Sequence, residues 1–139
     1  MCGIAGFVGA VRGDVELAVE AMNRALAHRG PDDAGVNVFS LSGDRWLGLG
    51  HRRLSIIDLS PAGHQPMLDP ATGNAVVFNG EIYNFQALRI ALQQKGHVFA
   101  SQTDTEVILK GYAEWGESVF YRLEGMYACL LYTSPSPRD

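Results

Sequence analysis

Apolar positions along this chain fall into two rhythms. Residues 2–9 read CGIAGFVG, a short apolar run broken by glycines, and predict a buried strand at the start of the chain. From Asp14, taken as an N-cap, Val15, Ala18, Val19, Met22 and Leu26 recur at helical spacing until Gly30-Pro31 stops them, which predicts an amphipathic helix. Residues 34–41 and 45–52, joined by Ser42-Gly43-Asp44, predict a strand pair in which Leu47, Leu49 and His51 alternate inward. The Pro- and Gly-rich stretch 60–73 reads as a loop. Residues 74–78 then form another apolar strand that ends in Asn79-Gly80-Glu81. A second helix is expected over about residues 84–95, stopped by Gly96, and Thr103-x-x-Glu106 matches a capping box opening a third that runs to Gly116. Strands first paired by short turns and then separated by helices predict an α+β fold with antiparallel sheet rather than a doubly wound parallel one.

The rhythm breaks at the end. Residues 129–139, CLLYTSPSPRD, are Ser/Pro-rich, and a disordered terminus is the plain reading. The string also resembles one translated frame of the transposase adapter used to prepare sequencing libraries. Residues 129–139 are therefore expected to be a foreign appendage, with the natural domain occupying residues 1–128, continuing differently past Ala128, and Cys129 having no function.

Composition narrows the function classes. The chain has 139 residues, 47% hydrophobic and 19% charged, which fits one soluble domain. A net charge of −4 leaves no basic footprint, so neither nucleic acid nor an anionic membrane is an expected partner. Without an apolar run near the ~20 residues of a membrane span, or a signal-peptide pattern, a cytoplasmic location is expected. Two cysteines, Cys2 and Cys129, are too few for a disulfide framework. His28, His51, His64 and His97 fall in no H-E-x-x-H pattern and near no cysteine pair, so no metal site is expected. Gly48-x-Gly50-x-x-Arg53 fails the dinucleotide fingerprint at its third glycine.

Cys2 carries the most chemistry. Removal of Met1 would leave a cysteine with both a thiol and a free amine, so one residue would supply nucleophile and base. An α-amine titrates near ~7.7–8.0 and a thiol near ~8.5, which lets the amine take the thiol proton directly or through one water. Taken alone, Cys2 reads as an ordinary second residue; its setting changes that.

Six blocks set it in context: MCGIAGFVG at the start, His28-Arg29-Gly30-Pro31-Asp32, His51-x-Arg53-Leu54-Ser55-Ile56-Ile57-Asp58, Gly63-His64-Gln65-Pro66-Met67, Asn79-Gly80-Glu81-Ile82-Tyr83-Asn84 and Thr103-Asp104-Thr105-Glu106-Val107. In this order and spacing they resemble the N-terminal glutaminase domain of glutamine-hydrolysing asparagine synthetases, class II glutamine amidotransferases. The resemblance runs from Met1 to about Ala128. It implies an N-terminal-nucleophile hydrolase αββα sandwich of antiparallel sheets, incomplete at its C-terminus, which releases ammonia from L-glutamine through a thioester on Cys2. It implies no cofactor for that step. ATP and Mg2+ would belong to a C-terminal synthetase domain, the partner that receives the ammonia; its SGGxDS signature is absent from these residues. A homodimer is compatible with the resemblance.

Each block has a chemical reading beside a bland one. A tetrahedral oxyanion needs preorganised donors, and Asn79 and Gly80 offer a side-chain amide and a backbone N–H; Asn-Gly is also a common tight turn. Arg53 can hold the glutamine carboxylate with its planar fork, and the resemblance implies that Leu54, Ser55, Ile56 and Ile57 frame the ligand with it; a solvated arginine is the alternative. Glu81 and Asp104 are candidates for the ammonium, although Asp104 also suits the cap of the third helix. A non-catalytic glutamine-sensing or interaction domain, or the glutaminase part of an amidotransferase with another acceptor, are the competing functions. With strands expected past Ala128, an isolated fragment is expected to have exposed sheet edges and marginal stability.

Overall fold

The computed structural model describes residues 1–135. The chain runs through β1 (Gly3–Gly9), α1 (Arg12–Ala25), β2 (Asp33–Leu41), β3 (Arg45–Arg53), β4 (Met67–Leu68), β5 (Ala75–Ile82), α2 (Phe85–Gln94), α3 (Thr105–Trp115), α4 (Val119–Arg122) and β6 (Gly125–Tyr132). Two three-stranded sheets result, ordered β1-β3-β2 and β4-β5-β6, and each strand pairing within them is antiparallel.

Pleat alternation decides what each sheet face meets. On one face of β3, Gly48 and Gly50 let α1 lie close; a Cβ on Gly48 would come within 2.5 Å of Val19, which with Val15 is fully buried. Burying each such valine contributes about 1.5–3 kcal/mol. On the opposite face, Leu47, Leu49 and His51 turn toward the second sheet, as their alternation predicts. Leu49 meets Ala75 and Val77 of β5 there, and Phe39 stacks on Tyr132 with ring centroids 4.4 Å apart. The far face of β5 presents Val76, Phe78 and Ile82 to Ile108 and Leu109 of α3. The layers are thus helix, sheet, sheet, helix, the α+β arrangement expected. No helix among the described residues is long and apolar enough to cross a membrane.

Several expected boundaries move. α1 begins at Arg12 with Val11 at its N-cap, so Asp14 lies inside the first turn, where a carboxylate suits the helix dipole without capping it. The 60–73 loop contains a 3-10 turn (Pro61–Gly63) and the two-residue β4. Thr103 does not cap α3, which starts at Thr105. The Glu106 carboxylate instead accepts the amides of Ala100 and Ser101 at 2.9 and 2.7 Å. β5 passes straight through Asn79-Gly80-Glu81, so that dipeptide is not a turn.

Neither α4 nor β6 is anticipated by the periodicity. β6 pairs with β5 along its whole length, from Ala75 opposite Tyr132 to Ile82 opposite Gly125, and so crosses the expected division between residues 128 and 129. Cys129 stands opposite Phe78, half-buried, and burial pushes its thiol pKa up. Residues 136–139 of the expected appendage lie outside the described residues.

Candidate active site

Three chain crossings build one pocket. β1 pairs from Gly3 opposite Arg52, which leaves Cys2 just beyond the last pair, where β3 gives way to the Leu54–Ile57 segment. The Leu54 amide donates to Cys2 Sγ at 3.3 Å, and Sγ lies 3.6 Å from the Leu54 carbonyl. Arg29 Nε donates to the Cys2 carbonyl at 3.1 Å, so main chain and side chain are both anchored. Asp32 holds the segment that follows: its amide donates to the Arg53 carbonyl at 3.0 Å and its carboxylate accepts the Ser55 amide at 2.8 Å.

A cavity of about 340 Å³ opens beside the sulfur. It is lined by Cys2, Arg53, Leu54, Ile56, Ile57, Asn79, Gly80, Glu81 and Asp104, nine of the ten residues singled out from sequence. Ser55 is the exception: past the end of β3, with its amide held by the Asp32 carboxylate, it lines a different depression that it shares with Asp32 and His64. The cavity also takes in Asp58, Gln65 and Thr103, which were not singled out although each stands within one of the six blocks. No local pattern marks them; only their burial sets these polar residues apart from surface ones.

Gly80 is required by the backbone. Its φ is +148°, and a Cβ there would lie 2.2 Å from the Met126 carbonyl of the paired strand. Two buried side chains hold β5 in place from below. His51 Nε2 donates to the Phe78 carbonyl at 3.0 Å, and the Gln65 carbonyl accepts the Phe78 amide at 2.7 Å while its NH2 reaches Thr105 Oγ1 at 3.3 Å. Burial pushes the His51 pKa down to about 4, so the ring is neutral near pH 7.

Charge is divided across the cavity. Arg53 is buried, with its guanidinium donating to the Ser60 carbonyl at 2.7 Å and to the Asp58 carbonyl. Gly63 makes room for it, since a Cβ there would lie 2.1 Å from Arg53 Nη2. Asp104, in the same cavity wall, is 5% exposed and accepts the Ile82 amide at 2.9 Å. Burial raises its pKa above the ordinary carboxylate value; the Ile82 hydrogen bond opposes that and Glu81 adds to it. Asp104 occupies the N-cap position of α3, but its side chain makes no cap bond to the helix. Asp58 behaves in the opposite way: hydrogen bonds from Ser60 and from the Gln102 amide hold its carboxyl below the usual range. Among the described residues no group of three or more His, Cys, Asp or Glu is placed to hold a metal ion.

Two facing antiparallel sheets between helices, with a sulfur at the head of the first strand opening on the cavity, define the fold of an N-terminal-nucleophile hydrolase. The same fold is found in the glutamine phosphoribosylpyrophosphate amidotransferase of Bacillus subtilis, solved with ADP and GMP, at TM-score 0.66 and 17% identity over 94% of this chain and 35% of that one. The chain belongs to the glutamine amidotransferase domain family, which it matches over residues 1–137. It is 39% identical to asparagine synthetase [glutamine-hydrolyzing] 1 of Bacillus subtilis over 95% of this chain, and 38% identical to asparagine synthetase [glutamine-hydrolyzing] 2 of rice, Oryza sativa, over 94%. It spans about a fifth of the length of both relatives, 21% in each case.

Proposed function

We propose that this domain hydrolyses the side-chain amide of L-glutamine to glutamate and ammonia, with Cys2 as nucleophile. Once Met1 is removed, the Cys2 amine takes the thiol proton, directly or through one water, and the sulfur attacks the amide carbon. Asn79 and Gly80 stabilise the oxyanion that forms. The intermediate collapses as the amine returns the proton to the leaving nitrogen, and ammonia departs. Water, deprotonated by the same amine, then attacks the thioester, and glutamate leaves with the thiol restored. Arg53 takes the substrate carboxylate; Glu81 and Asp104 take its ammonium.

The observation that carries this reading is the placement of Cys2 Sγ, the Asn79-Gly80 pair and side chains of both charge signs around one cavity. The experiment compares the processed protein with Cys2→Ala. Ammonia release from glutamine, and a single covalent label at Cys2 from a glutamine-analogue electrophile, are expected from the first and neither from the second. An unlabelled, inactive protein with Met1 removed would leave a non-catalytic glutamine-binding or interaction domain as the better account.

The similarity to asparagine synthetases supports a wider reading, in which the ammonia passes to an ATP- and Mg2+-dependent synthetase domain outside these residues and aspartate is the acceptor. A cytoplasmic location goes with it.

A further inference from the structure

One buried carboxylate in the cavity wall has no part in the reaction as set out. Asp58 is 9% exposed, and both of its oxygens are used. Oδ1 accepts the Ser60 amide at 2.8 Å, which closes a local turn. Oδ2 accepts the Gln102 amide at 2.8 Å, forty-four positions along the chain. These two bonds link two segments that both line the cavity. On one side, the turn that Asp58 closes presents the carbonyls of Asp58 and Ser60 to which the Arg53 guanidinium is bound. On the other, Gln102 stands two residues before Asp104, whose carboxylate is fixed to the Ile82 amide next to Glu81.

We propose that Asp58 is a positioning residue that sets the separation between the carboxylate-binding and ammonium-binding ends of the glutamine pocket. It touches neither the sulfur nor the oxyanion donors, so it governs how tightly an amino acid is held rather than how fast its amide is cleaved. An anion suits the position because both partners are N–H donors, and an amide or hydroxyl can satisfy only one of them well. The inference rests on the glutaminase reading above.

Asp58→Asn and Asp58→Ser separate the two bonds. Asn turns an NH2 toward one of the two amides; Ser can still close the local turn onto Ser60 but is too short to reach Gln102. Both are made in the full chain with Met1 removed. Loss of a charge-assisted hydrogen bond of this kind is expected to raise KM for glutamine about tenfold or more, with kcat within about twofold. Labelling of Cys2 by a glutamine-analogue electrophile is expected to slow by the same factor, while alkylation by iodoacetamide, which has neither the carboxylate nor the ammonium, keeps its rate. An unchanged KM in an active protein overturns the proposal and leaves the glutaminase reading standing. Equal losses in both labelling rates, or failure of both variants to fold, overturn it in favour of a general structural role. Absence of glutamine hydrolysis and of analogue labelling in the unmutated protein instead removes the reading on which it rests.

Discussion

His51 of the first sheet donates its Nε2 hydrogen to the carbonyl of Phe78 in the second, at 3.0 Å, one residue before Asn79. The bond crosses the interface between the sheets in a buried setting, and it ties the strand that leads to Leu54 to the strand that carries Asn79 and Gly80.

That linkage gives stability a pH dependence. Burial, with Arg53 adding to it, lowers the His51 pKa from 6.5 to about 4, so the native state binds fewer protons than the unfolded chain between those values. The associated stability is fully present above pH 6.5 and lost progressively as pH falls toward 4, by about 3 kcal/mol at most. Thermal melts between pH 7 and 4.5 are expected to show a falling Tm. In His51→Gln, which keeps a donor and cannot titrate, that slope is expected to be shallower; an equal slope would assign it elsewhere.

Gly80→Ala is expected to cost about 2 kcal/mol or more, since a side chain there meets both a positive φ and the Met126 carbonyl. A lower urea midpoint together with lost glutaminase activity is the expected result. A midpoint matching the parent would mean that β6 can move aside.

Asn79→Ala would remove one of the two oxyanion donors proposed above. In other enzymes that loss is worth about 2.7–4 kcal/mol of barrier, so kcat for glutamine hydrolysis is expected to fall a hundredfold or more. KM should change little. A dominant change in KM would make Asn79 a binding residue instead.

Asp104→Asn keeps an acceptor for the Ile82 amide and loses the charge. Weaker glutamine binding is expected, with the melting temperature close to the parent's. Because burial raises the Asp104 pKa, kcat/KM in the parent is expected to fall on acidification at a pH above the ordinary carboxylate range. Steady-state kinetics across pH 4 to 8 test this: that acid limb should be missing from the variant.

Most of the layer order was legible in period alone. Leu47, Leu49 and His51 alternate, and the strand they mark does face the other sheet; Val15 and Val19 lie at helical spacing, and α1 does bury them. Gly96 and Gly116 stand where α2 and α3 end, at φ of 97° and 60°. What local pattern could not convey was the use of a polar group by a distant partner. Thr103-x-x-Glu106 has the spacing of a capping box, yet the Glu106 carboxylate is taken by the Ala100 and Ser101 amides and the helix starts later. Asn79-Gly80 has the composition of a turn, but pairing with β6 holds it extended. Ser55 lies between two pocket residues in an irregular segment, yet it lines a different depression, with its amide bound to Asp32. β6 has no clear period of its own: its residues 129–132 read as the start of a Ser/Pro-rich tail, and the strand becomes evident only when β5 lies beside it.

The clasp around Cys2 bears on what methionine excision would accomplish. Chain ends ordinarily fray, yet here Arg29 grips the residue's carbonyl and Leu54 its sulfur. Trimming Met1 would therefore unveil an amine on a stationary pivot, ready for proton traffic without any search for the geometry.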